Sequence, residues 1–162
     1  MPSPASARHK PKIAISACLL GAEVRFNGGH KESRLCSQAL TQHFEFVPLC
    51  PEVAIGLGIP RQPVRLVGNP LQPQAVGTVD STLDVTRPLH DYGVEMAAAH
   101  TDICGYIFMQ KSPSCGLERV KVYQDGGRPA ELSGRGIYAQ AFCNRHYRRY
   151  RLLGGYRRIS SG

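Results

Sequence analysis

The sequence lacks any hydrophobic run that approaches the roughly 20 apolar residues needed to cross a membrane. Its basic start, up to Lys12, is not followed by the apolar core of a signal peptide. Residues 13–20 are apolar, and they predict a first strand instead. We therefore expect a cytoplasmic protein. In that reducing compartment the six cysteines are not expected to form a disulfide framework.

Acidic residues are absent from Cys143 to the end of the sequence, although that segment contains six arginines. The segment supplies +6 of the formal net charge of +8 and leaves +2 for residues 1–142. This distribution fits a solvated terminal segment as well as a surface that contacts phosphates. From 162 residues we predict a flexible N-terminus over 1–11, a single domain over 12–147 and an arginine-rich tail over 148–162.

Strands alternate with helices along the predicted domain. Strands are predicted at 12–17, 46–49 and 104–110, and helices at 32–44, 85–99 and 137–147. An edge strand is predicted at 64–67, a loop over 69–77 and a fourth strand at 120–123. This order indicates an α/β fold with a mostly parallel, Rossmann-like sheet flanked by helices. Such folds place their sites at the carboxyl ends of the strands.

Three cysteines follow predicted strands, and no two cysteines form a closely spaced pair of the kind that zinc sites usually use. Cys18 follows the first strand, Cys50 the second, and Cys115 lies just beyond the third. If these strands are neighbours, the three thiolates face one crevice and suit a soft metal ion or an iron–sulfur cluster with one open position. The others are predicted to be small buried hydrophobic residues: Cys36, Cys104 and Cys143.

Four motifs resemble, in order, the DUF523 family that includes the thiouracil desulfidases. They are CLLGAEVRFNGGHK from Cys18, PLCPEVAIGLGIPR from Pro48, MQKSPSCGLERVKVY from Met109 and SGRGIYAQAF from Ser133. The last two also resemble the N-terminal domain of the desulfidases that act on 4-thiouridine in tRNA. We expect a single domain and no second one, and this expectation favours a thiolated pyrimidine base or nucleotide over tRNA as the substrate.

The resemblance implies a [4Fe–4S] cluster bound by Cys18, Cys50 and Cys115, with a fourth iron free to take the substrate sulfur. It implies a hydrolytic, non-redox exchange of C=S for C=O that releases sulfide. A monomer is favoured. Such chemistry needs a general base. Glu52 is predicted to be that base with Ser112 as its partner, although a carboxylate at a helix start could also simply stabilise the helix dipole.

The remaining predicted site residues bind substrate. Asn27 can read the amide edge of a pyrimidine, Gly28 allows close backbone approach, and Arg25 or Arg61 could contact a phosphate. Ser114 is predicted to help bind the substrate. The stretch from Arg25 fits a plain turn between strand and helix equally well.

Two other function classes remain open from the residues. One is a thiol redox or persulfide protein with Cys18 or Cys115 as a nucleophile near a helix start. The other is a zinc protein, with three cysteines and a histidine as ligands, that contacts RNA through the arginine tail. The first class needs no iron, so iron content separates it from a cluster enzyme.

Overall fold

The structure, a computed structural model, describes residues 9–151. The strands are β1 Lys12–Ser16, β2 Glu45–Leu49, β3 Val64–Val67, β4 Gln74–Gly77, β5 Ile103–Ile107, β6 Val120–Tyr123 and β7 Glu131–Gly134. The helices are α1 Pro51–Ala54, α2 Thr86–Ala99 and α3 Ile137–Arg151. Most of the predicted flexible N-terminus and of the predicted arginine-rich tail lies outside the described residues, and α3 runs past the predicted domain boundary at residue 147.

The first sheet is parallel, with the order β2-β1-β5. In the central strand Ala14, Ile15 and Ser16 are buried, as expected for a parallel strand covered on both faces. Ser16 pairs with Leu49, so β1 and β2 end together. The strands that precede Cys18, Cys50 and Cys115 are therefore neighbours, and their carboxyl ends share one edge.

The second sheet has the order β4-β3-β6-β7 and is mixed. β3 pairs antiparallel with β4 and parallel with β6, and β6 pairs antiparallel with β7. The predicted edge strand at Val64–Val67 is wrong in its position, because this strand is internal. The predicted loop over 69–77 is also wrong at its end, because Ala75, Val76 and Gly77 are buried in β4.

A single hydrophobic core joins both sheets to α2 and α3. It contains Ala14 of β1, Leu66 of β3, Val122 of β6, Leu89 of α2 and Tyr138 of α3. α2 and α3 pack closely at Gly93, where a side chain would meet the Tyr138 carbonyl. The α/β architecture is thus one domain, although its strands form two sheets rather than one.

The predicted helix at 32–44 is confirmed only as a shorter and irregular helical segment. The segment forms short, irregular helical turns at Leu35–Ala39 and Leu40–Gln42. Its apolar residues do not share one buried face, since Leu35 is 62% exposed whereas Cys36 is 5% exposed. The Thr41 hydroxyl also donates to the Cys36 carbonyl at 2.8 Å, a local bond that competes with regular helix geometry.

Within residues 9–151 we find no helix that combines the length and the apolar character of a membrane span.

Candidate metal centre and catalytic site

Three loops bring Cys18, Cys50 and Cys115 to the carboxyl edge of the parallel sheet. Cys18 lies in the helical turn Ala17–Leu20 that follows β1 directly. Cys50 is the last residue before α1, with Pro51 as the first helical residue. Cys115 lies in the loop after β5 and is buried, whereas the other two are partly exposed.

The three thiols influence one another electrostatically. Burial raises the pKa of Cys18, and the neighbouring Cys50 raises it further. Burial also raises the pKa of Cys115 far above its ordinary value, and Cys50 and Cys18 add to that rise. Cys18 and Cys115 thus lie within the range of Coulomb interaction with Cys50, at the edge where the strands that precede them end together.

Each sulfur also has a group beside it that favours the thiolate. The backbone N–H groups of Val53 and Glu52 lower the pKa of Cys50, although its burial outweighs them. The positive charge of Arg25 lowers the pKa of Cys18, although burial outweighs it as well. Donors and cations beside a cysteine are typical of thiolates that bind metals or react.

Ser16 is the group that favours the thiolate of Cys115, through a side-chain hydrogen bond. The same serine oxygen accepts the Met109 N–H at 2.9 Å, so it links the end of β1 to the segment after β5. Our sequence reasoning missed Ser16. The available signal is a serine that ends the apolar run Ile13–Ile15 of β1, two residues before Cys18.

The donor set at this edge fits an iron–sulfur cluster. Three thiols without a fourth are soft ligands that leave one iron of a cubane without a protein ligand. Among residues 9–151, no three Cys, His, Asp or Glu side chains converge closely enough to hold a single metal ion. A [4Fe–4S] cubane does not require three side chains to converge on a single metal ion, because each cysteine binds a different iron atom.

A carboxylate and a hydroxyl face each other beside Cys115. The Ser114 hydroxyl donates to Glu52 Oε1 at 2.8 Å. The hydrogen-bond partner of Glu52 in the structure is thus Ser114 and not Ser112, and a catalytic role for Ser112 stays a prediction. Ser114 is 1% exposed, so it is better placed to orient Glu52 than to contact a substrate from solvent.

Ser112 has a different role in the same loop. Its side-chain oxygen accepts the backbone N–H of Ser114 at 3.2 Å and that of Cys115 at 3.0 Å. Its carbonyl accepts the Gly116 N–H at 2.8 Å. Ser112 thus shapes the turn that presents both Ser114 and Cys115.

The expectation that Arg61 contacts a phosphate does not agree with the structure. The Arg61 side chain is only 5% exposed, and its Nε donates to Glu52 Oε2 at 2.9 Å. Burial and this ion pair turn the guanidinium inward. Both Glu52 oxygens therefore have a partner, Arg61 on one and Ser114 on the other.

The segment after Cys18 forms a closed turn, as one of the two sequence-based interpretations has it. The Gly28 N–H donates to the Arg25 carbonyl at 2.8 Å, and Gly28 has a φ of 76°, which favours glycine. The Asn27 side-chain oxygen accepts the Gly29 N–H at 2.9 Å within the same turn. Arg25 lies over the Phe26 ring, with Cζ 5.6 Å from its centroid.

The other three cysteines differ in burial. Cys36 is buried, which agrees with the prediction of a small hydrophobic residue, and Cys143 is half-buried. The same prediction is wrong for Cys104, which is exposed. Cys104 alternates with buried Ile103 along β5, the edge strand of its sheet.

Comparison with known proteins gives concordant matches along most of the chain. The model of the 2-thiouracil desulfurase family matches residues 13–151. The protein YbbK of Bacillus subtilis (strain 168) is 29% identical over 142 residues, which cover 84% of this chain and 92% of YbbK. The solved structure of the [4Fe–4S]-dependent thiouracil desulfidase TudS is 30% identical, with a TM-score of 0.62, and the match covers 86% of this chain and 87% of that one.

Proposed function

Because the chain belongs to the 2-thiouracil desulfurase family, we propose that it is a [4Fe–4S]-dependent desulfidase. Its substrate is thiouracil or a thiouridine nucleotide, whose thiocarbonyl sulfur it replaces with oxygen while releasing sulfide. The arrangement that supports this most directly is the convergence of Cys18, Cys50 and Cys115 beside the Glu52–Ser114 hydrogen bond.

Cys18, Cys50 and Cys115 are the residues that hold the cluster. When bound, a cluster with one open iron position supplies a Lewis acid that attracts the soft thiocarbonyl sulfur and polarises the adjoining carbon. The raised thiol pKa values do not oppose this, since a cysteine that binds a metal does so as the thiolate and its proton is released to solvent. Ser16 and the α1 backbone amides then remain as donors to the ligand sulfurs.

Glu52 is the general base of the reaction. Its side chain is 15% exposed, so water can reach it, whereas Ser114 behind it is buried. Glu52 takes a proton from the water that attacks the polarised carbon. The Ser114 hydroxyl orients Glu52 Oε1 and shares the proton through their hydrogen bond.

The reaction is balanced without an oxidant or a reductant. Water adds to the carbon, the C–S bond breaks, and the carbonyl forms as sulfur leaves with two protons as hydrogen sulfide. Both protons originate from the water, and Glu52 returns the one that it accepted. The thiol redox class would instead require an electron acceptor.

Arg25 is the cation that we place beside the substrate. It is partly exposed, lies near Cys18 and stacks on Phe26. An arginine in this position can meet the phosphate of a nucleotide, and Asn27 and Gly28 lie in the same turn. The substrate that we propose is a thiolated base or nucleotide, and Arg25 supplies the cation for the nucleotide's phosphate.

The test is sulfide release by anaerobically prepared, cluster-loaded protein. With thiouracil in isotopically labelled water and no added redox reagent, we expect one sulfide for each uracil formed and label in the new carbonyl. Glu52→Gln should keep its iron yet lose at least about 100-fold in kcat, as expected for a general base. Absence of sulfide from loaded protein, or release that depends on an added oxidant or reductant, would contradict the proposed function.

A further inference from the structure

The guanidinium of Arg61 connects three segments around the site. Nε donates to Glu52 Oε2 at 2.9 Å, Nη1 to the Gly58 carbonyl at 2.9 Å, and Nη2 to the Val24 carbonyl at 2.8 Å. The Arg61 backbone N–H also donates to the Phe26 carbonyl at 2.9 Å. The loop after β1, helix α1 and the loop before β3 are thereby held together by one side chain.

These bonds occupy the fork of the arginine. All three guanidinium nitrogens donate to protein oxygens, and the side chain is almost fully buried. A substrate anion would have to displace bonds that already have good distances. A planar fork with fixed donors is suited instead to hold a carboxylate in one orientation.

Glu52 has two side-chain oxygens with different neighbours. Oε2 accepts from Arg61 and Oε1 accepts from Ser114. A glutamate side chain has broad freedom at its terminal torsion, so the Ser114 bond alone leaves the carboxylate plane loosely defined. The two bonds together define which oxygen faces Ser114.

We propose that Arg61 is a positioning residue that holds Glu52 in the orientation needed for proton transfer. It acts through Glu52 and touches neither the substrate nor the cluster. The bond from Arg61 to the Val24 carbonyl also connects the arginine to the surroundings of Cys50, because this carbonyl lies 3.9 Å from the Cys50 sulfur. This inference rests on the proposed function, since it assigns Glu52 the role of base.

The first test compares Arg61→Gln with wild type for iron content, KM and kcat on thiouracil. We expect unchanged iron, a kcat lowered about 100-fold, as a misplaced group costs, and a KM within about threefold of wild type. The matched control is Arg87→Gln, an arginine that is 86% exposed and pairs with Asp91 on α2, far from the site loops in sequence. The control should behave as wild type.

The second test asks whether Arg61 acts through Glu52. In a Glu52→Gln background, Arg61→Gln should cause little additional loss of kcat, because residues of one unit are not additive. Added guanidinium ion should restore part of the activity of Arg61→Ala, and Arg61→Lys should retain more activity than Arg61→Gln.

Several outcomes overturn the inference. A raised KM for a nucleotide with an unchanged kcat would make Arg61 a substrate contact. If the losses of kcat from Arg61→Gln and Glu52→Gln are fully additive, Arg61 has no positioning role. The same follows if neither added guanidinium nor Arg61→Lys restores activity. If both Arg61→Lys and Arg61→Gln fail to fold or to bind iron, the residue is structural. Inactive wild type with a full iron content would instead contradict the proposed function itself.

Discussion

Two of the proposed ligands, Cys18 and Cys50, are partly exposed, whereas Cys36 is buried and lies in none of the three site loops. Burial alone therefore does not separate ligands from structural cysteines. Position in a loop that follows a strand of the parallel sheet separates the proposed ligands from Cys36. The surroundings agree with this division, because donors or cations lower the pKa of each ligand thiol against the effect of burial.

Single cysteine substitutions test this division. We expect Cys18→Ala, Cys50→Ala and Cys115→Ala each to abolish cluster binding, since removal of one ligand from a set of three leaves too few. Cys36→Ala should keep its iron and lose only the stability expected for a small cavity, about 1 kcal/mol. Iron analysis after anaerobic reconstitution measures cluster binding, and urea unfolding measures the loss of stability. Loss of iron from Cys36→Ala would show that the assignment is wrong.

The two serines of the third motif offer a matched pair. Ser114→Ala removes the donor to Glu52, so we expect bound iron and a kcat lowered at least about tenfold. Ser112→Ala removes the acceptor of two backbone N–H groups in the loop of Cys115, so we expect reduced iron retention. Iron content and kcat measured on both variants distinguish these effects. The opposite pattern would restore Ser112 as the partner of Glu52.

At the level of secondary-structure elements, the start of α3 is tied to the loop that carries Ser114 and Cys115. The Gly136 N–H donates to the Gly116 carbonyl at 2.7 Å, and the Ala139 N–H donates to the Ser114 carbonyl at 3.0 Å. A Cβ on Gly136 would overlap the Ser114 carbonyl and lie 2.7 Å from the Cys115 nitrogen. The fourth motif therefore supports the third one directly.

Gly136→Ala should consequently disturb the site from a distance in sequence. Relief of the overlap requires the loop or α3 to shift, at a cost of about 1–3 kcal/mol in the free energy of unfolding. We expect this loss in urea unfolding together with weaker iron retention. Ser133→Ala, an exposed position of the same motif, is the control and should change neither. Unaltered stability in Gly136→Ala would show that the contact is not tight.

The elements that were predictable from sequence are those with strong apolar patterns. Strand β1 buries Ala14 and Ile15 in succession, and α2 buries Leu89, Gly93 and Ala97 at helical spacing. The alternation of strands and helices along the chain placed the three cysteines at one edge. Strands β4 and β7 have four residues each and depend on pairing with β3 and β6, which are distant in sequence. Such pairing is a tertiary effect that local periodicity does not contain.

The residues of the site also divide into those that sequence position predicts and those that depend on tertiary contacts. Position after a strand made Cys18, Cys50 and Cys115 candidate ligands, and proximity to Cys50 made Glu52 a candidate base. Which serine faces Glu52 depends on how Ser112 accepts backbone N–H groups in its turn. The burial of Arg61 depends on three segments that meet only in the fold.

At the level of the whole molecule, an aromatic cluster joins β5 to α2 and α3. The hydroxyls of Tyr106 and Tyr138 lie 3.0 Å apart, and Tyr138 also stacks near Tyr92, with ring centroids 5.5 Å apart. Burial raises the pKa of both Tyr106 and Tyr138 well above the usual value. Ionisation of these hydroxyls is therefore coupled to unfolding.

The sign of this coupling predicts sensitivity to alkali. Because the folded-state pKa is the higher one, the stabilisation is fully present below about pH 10, the usual pKa of tyrosine, and is lost as the pH rises above it. We expect the free energy of unfolding, measured with urea, to fall above that pH. The fall should be smaller in the double variant Tyr106→Phe, Tyr138→Phe. An equal fall in both proteins would assign it to other groups.

The most direct test of the central claim is the iron and acid-labile sulfide content of the protein purified without oxygen. We predict about four of each per chain, as a [4Fe–4S] cluster contains, with the broad visible absorption of such a cluster. Protein that remains colourless and free of iron after anaerobic reconstitution would contradict the claim that Cys18, Cys50 and Cys115 hold a cluster.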